Sequence, residues 1–356
     1  MANLSLTEAR NFFTKQLIAS FKEIPVVSAL GRSFFPTVET GVSEISIEVE
    51  RGTELVAVDI IRGAEGNLNK STKSTERIYE TPLYDERINM VSTDVYKSLF
   101  VNSNGSVNES QMLNYVEKTA EDMLKLRNKI ERAYEYQAWQ VLVDGIVTSA
   151  VGDNIDFKRK AGSKVTVAGG AEWSVTTVDP RAALQAGCTW LRTNGLVNAG
   201  VYNAILGESA FAALIANPKF QAVGDVRTFE KLTMINEPQK NSVGGVFHGQ
   251  ISAGSYLINL WTYPQYYTNS SGVATPYLDP KKVVLLPDTT NFRLAFATCP
   301  YVFSDNGTDV VRPMRGAYQL YDSVDKNKRA HYFGVQSSGL AIPVAVDTIY
   351  TVKVLA

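Results

Sequence analysis

From Glu109 to Asp144 apolar residues recur at a three-to-four spacing, Met112, Val116, Ala120, Met123, Leu126, Ile130, Ala133, Ala138, Val141 and Leu142, and the pattern runs unbroken to Gly145. With Asn108-Glu109-Ser110-Gln111 able to cap its start, the spacing predicts a single helix of 36 residues, about 54 Å long at ~1.5 Å rise per residue. A rod of that length suits a thin, extended body that it can brace. Its charges, Glu117, Lys118, Glu121, Asp122, Lys125, Arg127, Lys129, Glu131, Arg132 and Glu135, are mixed in sign. That is the pattern of a solvated helix face rather than of a binding stripe.

A second feature lies upstream. Ile45-Ser46-Ile47-Glu48-Val49-Glu50 alternates apolar and polar residues strictly, as a strand with one wet face does. After Arg51-Gly52-Thr53 comes a β-branched run, Leu55 to Ile61, then a polar tract from Arg62 to Thr75 that holds Gly63, Gly66, Lys70 and Lys73. The chain returns through Arg77-Ile78-Tyr79-Glu80-Thr81. Two strands joined by so polar a tip bury little of their own surface, which predicts a projecting arm that needs a partner. An ordinary surface loop is the alternative.

The remaining elements are shorter. Ser5-Leu6-Thr7-Glu8 has capping-box spacing before a helix near 6–20 that ends ahead of Pro25. Strands are expected at 154–158 and 164–167. Asp179 and Pro180 open a helix whose inward face is Leu184, Cys188 and Leu191 and which stops at Gly195. A strand at 201–206 and a helix from Glu208 to Asn217, with Phe211, Leu214 and Ile215 inward, complete an α/β lobe. Strands follow at 256–261, 282–286 and 293–298, and the end from Ala341 to Val354 reads as strand almost throughout.

Length and composition limit the function. A chain of 356 residues exceeds one ordinary core and favours about two domains. Lys and Arg number 35 against 36 Asp and Glu, for a net charge of -1. No global positive field draws the chain to nucleic acid or anionic lipid. The opening residues lack a basic segment followed by an apolar run, and no stretch approaches a membrane span, so a cytosol-like compartment is expected. Six Asn-x-Ser/Thr triplets carry no weight without a secretory leader.

Chemistry is sparse as well. Cys188 and Cys299 form no Cys-x-x-Cys pair and are expected to be buried apolar residues, and His248 and His331 are the only histidines. The chain has no phosphate-cradling glycine loop, no Gly-x-Ser-x-Gly and no His-Glu-x-x-His. Asp85 and Glu86 are neighbours that point apart in a strand. The tyrosines and phenylalanines, 17 and 15 in number, lack the interleaved cations of a single-strand nucleic-acid groove, as in Tyr263-Pro264-Gln265-Tyr266-Tyr267. No catalytic, cofactor-binding or metal-ligating residue is expected.

Taken in order, these landmarks resemble the major capsid protein E family of lambda-like tailed phages, whose members share the Hong Kong ninety-seven capsid fold. Phe35-Pro36-Thr37 with Thr40, the ascent from Ile45 to Arg62 and the descent through Glu80-Thr81-Pro82-Leu83-Tyr84 look like the family's first strand and extended loop. The helix at 109–144 takes the place of its spine helix. Ile155-Asp156-Phe157, Trp173, Asp179-Pro180, Tyr277-Leu278-Asp279-Pro280, Val283 to Pro287 and Pro343 to Val354 are similar to later landmarks.

The resemblance implies an α+β subunit in five stretches. These are an N-terminal arm over 1–44, an extended-loop hairpin over 45–90, a peripheral domain over 91–178 with the spine helix, a mainly axial α/β domain over 179–300, and a return to peripheral strands over 301–356. It implies a structural protein without cofactor that assembles with itself as hexamers and pentamers around double-stranded DNA, in the bacterial cytoplasm, without sequence-specific or membrane binding. A portal is an implied partner and a decoration protein an optional one; the segment before Pro36 is too short for a large fused scaffold, so the resemblance implies either a separate scaffold protein or none. Arg62, Gly63, Lys70, Lys73 and Arg77 are the candidates for contact between subunits. Lys70 and Lys73 are no sign of a covalent crosslink. An encapsulin-like compartment, a tail or decoration protein, and an enzyme built on His248 or His331 are the competing readings.

Overall fold

The computed structural model describes residues 29–42, 44–49, 75–91, 109–149, 154–167, 169–225, 232–241, 243–305, 308–325 and 330–356. The expected helix near 6–20, the run at 55–61 and the polar tract at 62–74 lie outside them.

The long helix, α2 (Glu109–Val143), forms as its periodicity predicts and ends at Gly145. Gly145 has φ 69 and donates its N–H to the carbonyls of Gln140 and Val141, the left-handed stop that satisfies a helix end. A side chain there would also strike Arg159, since an added Cβ falls 2.3 Å from its Cδ. One apolar stripe of α2, through Met123, Leu126, Ile130, Tyr134, Ala138 and Leu142, is buried.

That stripe faces a five-stranded sheet. Its path is β1 (Thr37–Glu39), β15 (Phe292–Phe296), β19 (Ala330–Pro343) and β18 (Gln319–Asp325), with β4 (Leu83–Val91) also paired to β19. β19 is long enough to pair with β15 through its last residues and with β4 and β18 through its first. Tyr134 sets its ring edge-on to Phe296, centroids 5.4 Å apart, and shares a 2.5 Å hydrogen bond with Ser337.

The other large sheet has seven strands in the order β7 (Lys164–Thr166), β20 (Tyr350–Lys353), β14 (Lys282–Pro287), β8 (Val201–Leu206), β11 (Tyr256–Thr262), β10 (Val246–Ala253) and β9 (Leu232–Lys240). Helices α3 (Pro180–Asn194), α4 (Glu208–Ala216) and α5 (Pro218–Asp225) belong to the same lobe. β14 is apolar on both faces because both are covered: Val283 and Leu285 enter the core under these helices, while Val284 and Leu286 enter the core of α2. β14 therefore ties the two cores together. The sheets interleave in sequence, since β15 joins the five-stranded sheet and β20 the seven-stranded one.

Two details depart from expectation. The C-terminal run is not one strand, because a 3₁₀ turn at Val346–Thr348 separates β19 from β20. The chain changes sheets there, and the turn is fixed by Lys160 N–H donating to Asp347 at 2.9 Å and by Thr348 Oγ1 donating to Ala345 O at 2.7 Å. On α4 the buried residues are Ala210 and Leu214, with Phe211 half-buried and Ile215 exposed. The inward stripe runs through positions four apart, and Ile215 is one residue past it. The short helix α1 (Leu30–Ser33) carries no capping residue of its own at Ala29.

α3 matches its sequence signals closely. Asp179 caps it by accepting from Arg181 N–H at 3.0 Å, and the Arg181 guanidinium donates to the same carboxylate at 2.7 Å. Partial burial raises the Asp179 pKa, but the hydrogen bonds and charge of Arg181, with Lys219 beyond, more than offset this and hold it below the usual aspartate value. Asp179→Ala is expected to cost about 1 kcal/mol at pH 7 by urea unfolding. A depressed folded-state pKa gives stability that is complete above the unfolded value near ~3.9 and lost as pH falls through the folded one. The difference between the two proteins should therefore narrow below about pH 4. An unchanged gap at pH 2.5 would show that the cap's charge contributes nothing.

Candidate functional site

Two hairpins stand apart from the large sheets. Among the described residues β2 (Glu44–Val49) and β3 (Thr75–Glu80) pair only with each other, and so do β16 (Cys299–Asp305) and β17 (Thr308–Met314). Two-stranded ribbons are marginal in water without a covering surface. Smaller hairpins, β5 (Ile146–Val147) with β6 (Ile155–Asp156) and β12 (Tyr266–Thr268) with β13 (Ala274–Pro276), are the other two-stranded pairs among the described residues.

The β2–β3 ribbon falls within the stretch expected to form the extended loop, but with a different pairing: Glu44–Val49, not the run at 55–61, is the partner of Thr75–Glu80. Its register sets Ile45 opposite Tyr79, Ile47 opposite Arg77, and Ser46 opposite Ile78. Ile45 joins the α2 core, whereas Ile78, on the other face, is 64% exposed. Of the five candidate contact residues, Arg77 is placed in β3, and Arg62, Gly63, Lys70 and Lys73 fall outside the described residues. The β16–β17 ribbon had no counterpart in the sequence reading. Its root is fixed by the fully buried Cys299, while Val311 is 65% and Met314 39% exposed. Arg312, Pro313 and Arg315 are exposed beside them.

The root of the extended loop is held by a buried carboxylate pair, which corrects the expectation that the charges of α2 lie on a wet face. Glu131 and Glu135 are 3% and 1% exposed. Glu135 accepts from Gly31 N–H at 2.9 Å, Arg32 N–H at 2.7 Å and the Trp139 indole at 2.7 Å. Glu131 pairs with the Arg32 guanidinium and accepts from the Tyr318 hydroxyl at 2.6 Å. The two carboxylates thus clamp α1, just before β1 and β2, onto the long helix. Gly31 permits the approach, because an added Cβ would lie 2.7 Å from the Trp139 indole nitrogen. Trp139 stacks on Tyr263 at 5.1 Å, and burial next to Glu135 raises the Tyr263 pKa.

The reactive groups are tied into packing. His248 shares a 2.8 Å hydrogen bond with Thr262 and lies 4.0 Å from the Phe211 ring, and burial lowers its pKa. His331 lies 3.3 Å from Asp322 and 4.3 Å from the Phe333 ring. Burial pushes the Cys188 thiol up to about 12 and raises Cys299 as well. Asp85 and Glu86 point apart: Asp85 accepts from Tyr321 at 2.5 Å, Glu86 from Lys129 at 2.7 Å. A groove along α3, lined by Gln185, Thr189, Trp190 and Thr193 among others, is open to solvent. Among the described residues no group of three His, Cys, Asp or Glu could hold a metal, and no helix is long and apolar enough to cross a membrane.

The profile of the phage major capsid protein E family matches residues 13–354. The chain belongs to that family. This capsid protein has a fold similar to that of a prophage capsid protein from E.coli CFT073, with a TM-score of 0.63 and 16% identity over 96% of this chain and 99% of that one. A phage-related protein of Bordetella bronchiseptica RB50 matches with a TM-score of 0.50 and 12% identity over 95% of both chains. No curated protein matches the sequence. The α+β architecture is therefore that of Hong Kong ninety-seven-like capsid proteins, and this subunit is a structural component of the phage virion. A capsid protein meets other copies of itself through its surface, and the two ribbons are, among the described residues, the longest strand pairs outside the two large sheets.

Proposed function

We propose that this capsid protein assembles with copies of itself as hexamers and pentamers, which close into an icosahedral shell around double-stranded DNA in the bacterial cytoplasm. The observation that carries the reading is the β2–β3 ribbon, an element with its own register, exposed at Ile78 and Glu80, and with no other sheet partner among the described residues. A ribbon that lies on the next subunit makes a heterologous contact, and such contacts close into rings. Many of them together make a durable shell without catalysis. A net charge of -1 suits a container that must release its genome, since a strongly cationic lining would retain it.

In this reading residues 1–44 are an arm and 45–90 the extended loop with Arg62, Gly63, Lys70, Lys73 and Arg77 at the contact. Residues 91–178 and 301–356 build the peripheral domain, and 179–300 mainly the axial one. A portal and a separate scaffold protein complete assembly, and a decoration protein can bind outside. Deleting residues 63–75 is expected to leave a folded monomer or small oligomer and to abolish closed shells, as judged by circular dichroism and negative-stain microscopy. Normal icosahedral particles from the deletion would overturn the role of the loop.

A further inference from the structure

Three lysines meet on one face of the seven-stranded sheet, on adjacent strands. Lys282 in β14 lies directly opposite Lys353 in β20, and β20 in turn sets Lys353 beside Thr166 and Thr351 beside Lys164 of β7. Cross-strand partners share a face, as do residues two apart on one strand. Lys164, Lys282 and Lys353 therefore all stand on the side where Thr351 Oγ1 donates to Leu142 O of α2. Lys158, exposed on the way into β7, adds a fourth ammonium group; it pairs with Asp156 at 2.6 Å, and that carboxylate also attracts Lys164.

The fold explains two of these cations. Lys164 Nζ donates to Asp144 O at 3.0 Å, and Lys282 Nζ lies 3.4 Å from Asp144 Oδ1, just past the end of α2, where a helix favours positive charge. Lys353 is not explained in this way. Like charges directly opposite on neighbouring strands are destabilising, and the Lys353 side chain has no hydrogen bond or ion pair among the described residues. Four ammonium groups therefore share two carboxylates, and one of these, Asp144, also acts on the buried Arg159 guanidinium. In a chain of net charge -1, this is a local excess of positive charge.

We propose that this lysine patch binds the phosphodiester backbone of the DNA inside the shell. The proposal rests on the shell reading and sets the patch on the inner wall. Charge complementarity selects a polyanion, and lysine, a flexible point charge without the planar fork of arginine, meets phosphates without reading bases. A contact made by such groups is independent of sequence. With about three or four phosphates per copy, each tether is weak and salt-sensitive, and only the many copies of a shell make it count. The genome is thus held in place and still able to leave.

The test measures binding of a mixed-sequence duplex of about 30 base pairs to the full chain across a series of salt concentrations. Each phosphate neutralised contributes about 0.9 to the slope of log K against log salt. Lys282→Gln with Lys353→Gln is expected to lower that slope by about 2 and to weaken binding at least tenfold at low salt, while leaving the thermal unfolding of the subunit unchanged. Lys125→Gln, at an exposed position on α2, should bind the duplex as the wild type does. An unchanged slope in the double variant, or an equal loss from Lys125→Gln, overturns the site. Tighter binding of a polyglutamate of equal charge also overturns it, by making the occupant an acidic protein segment.

A second measurement needs no variant. Lys282 and Lys353 should be acetylated by a small amine-reactive ester several times more slowly in DNA-filled particles than in empty particles of the same size. Equal rates in the two overturn the proposal and leave the shell reading intact. Wild-type chain that forms no DNA-filled particles removes the shell reading itself.

Discussion

Arg159→Ala is expected to destabilise the subunit by about 3–5 kcal/mol in urea unfolding, more than any surface substitution. The Arg159 guanidinium lies beneath the C-terminal end of α2 and donates to the carbonyls of Leu142 at 3.2 Å and Val143 at 3.1 Å, two of the acceptors a helix end leaves without partners. It also reaches Ser163 O at 3.2 Å, Ile349 O at 2.9 Å and Thr351 Oγ1 at 3.2 Å. One side chain therefore joins the long helix to the chain entering β7 and β20. Burial pushes its pKa down to about 10, with Asp144 and Asp347 acting the other way, so it is charged at neutral pH.

Burying that charge is costly, and removing it recovers part of the cost. The acceptors decide the sign. Ser163 O keeps the N–H of Thr351 at 2.8 Å, and Leu142 O keeps the hydroxyl of Thr351 at 3.1 Å, but Val143 O and Ile349 O lose a charged donor in a dry site. Stranded buried acceptors cost about 1–3 kcal/mol each. Arg159→Met separates the terms, because it keeps much of the volume without donating. A Met variant within 1 kcal/mol of wild type would show that packing, and not hydrogen bonding, holds the junction.

What was legible in the sequence is what short-range pattern encodes. The span of α2, its stop at Gly145, the Asp179 cap and the inward face of α3 follow from periodicity and capping within a few turns, and all appear where those signals place them. The β2–β3 pairing was only half legible: alternation marks Ile45 to Glu50 and Arg77 to Thr81 as strands, but the polar tract points to the run at 55–61 as the partner of the second, whereas β3 pairs with β2. The burial of Glu131 and Glu135 was not legible, because Arg32 and the α1 amides that hold them lie about a hundred residues away, while Arg127, one turn before Glu131 on the same helix, looks like half of an ordinary exposed i,i+4 pair. The β16–β17 ribbon was hidden differently. Pro300 and Pro313 sit opposite each other in it, and proline ordinarily argues against a strand interior. Both are tolerated on a ribbon with no further strand paired to it among the described residues. The break at Val346–Thr348 reflects a change of sheet, which no local pattern announces.

The clamp on α1 should be the most informative site in the core that packs against α2. α1 is a single turn with Ala29 at its N-cap and no side-chain cap, so its first N–H groups have no local acceptor. Glu135 supplies one from α2, satisfying Gly31 and Arg32 while holding Trp139, four residues along its own helix. Glu135→Ala strands the Gly31 amide and the indole in a buried site. At about 1–3 kcal/mol per stranded donor the expected loss is about 3–5 kcal/mol. Glu135→Gln keeps the shape but turns an amide group toward donors, so it should recover less than half of that.

The loss should also be local. Amide exchange at residues 31–39 should rise well beyond that of β14, because α1 and β1 detach while the sheets persist. β2 begins just after β1, so a detached α1 also frees the root of the extended loop, and shells should fail before the subunit unfolds. Equal acceleration of exchange throughout the chain would instead make Glu135 a general core residue, and the clamp would have no separate role in setting the loop.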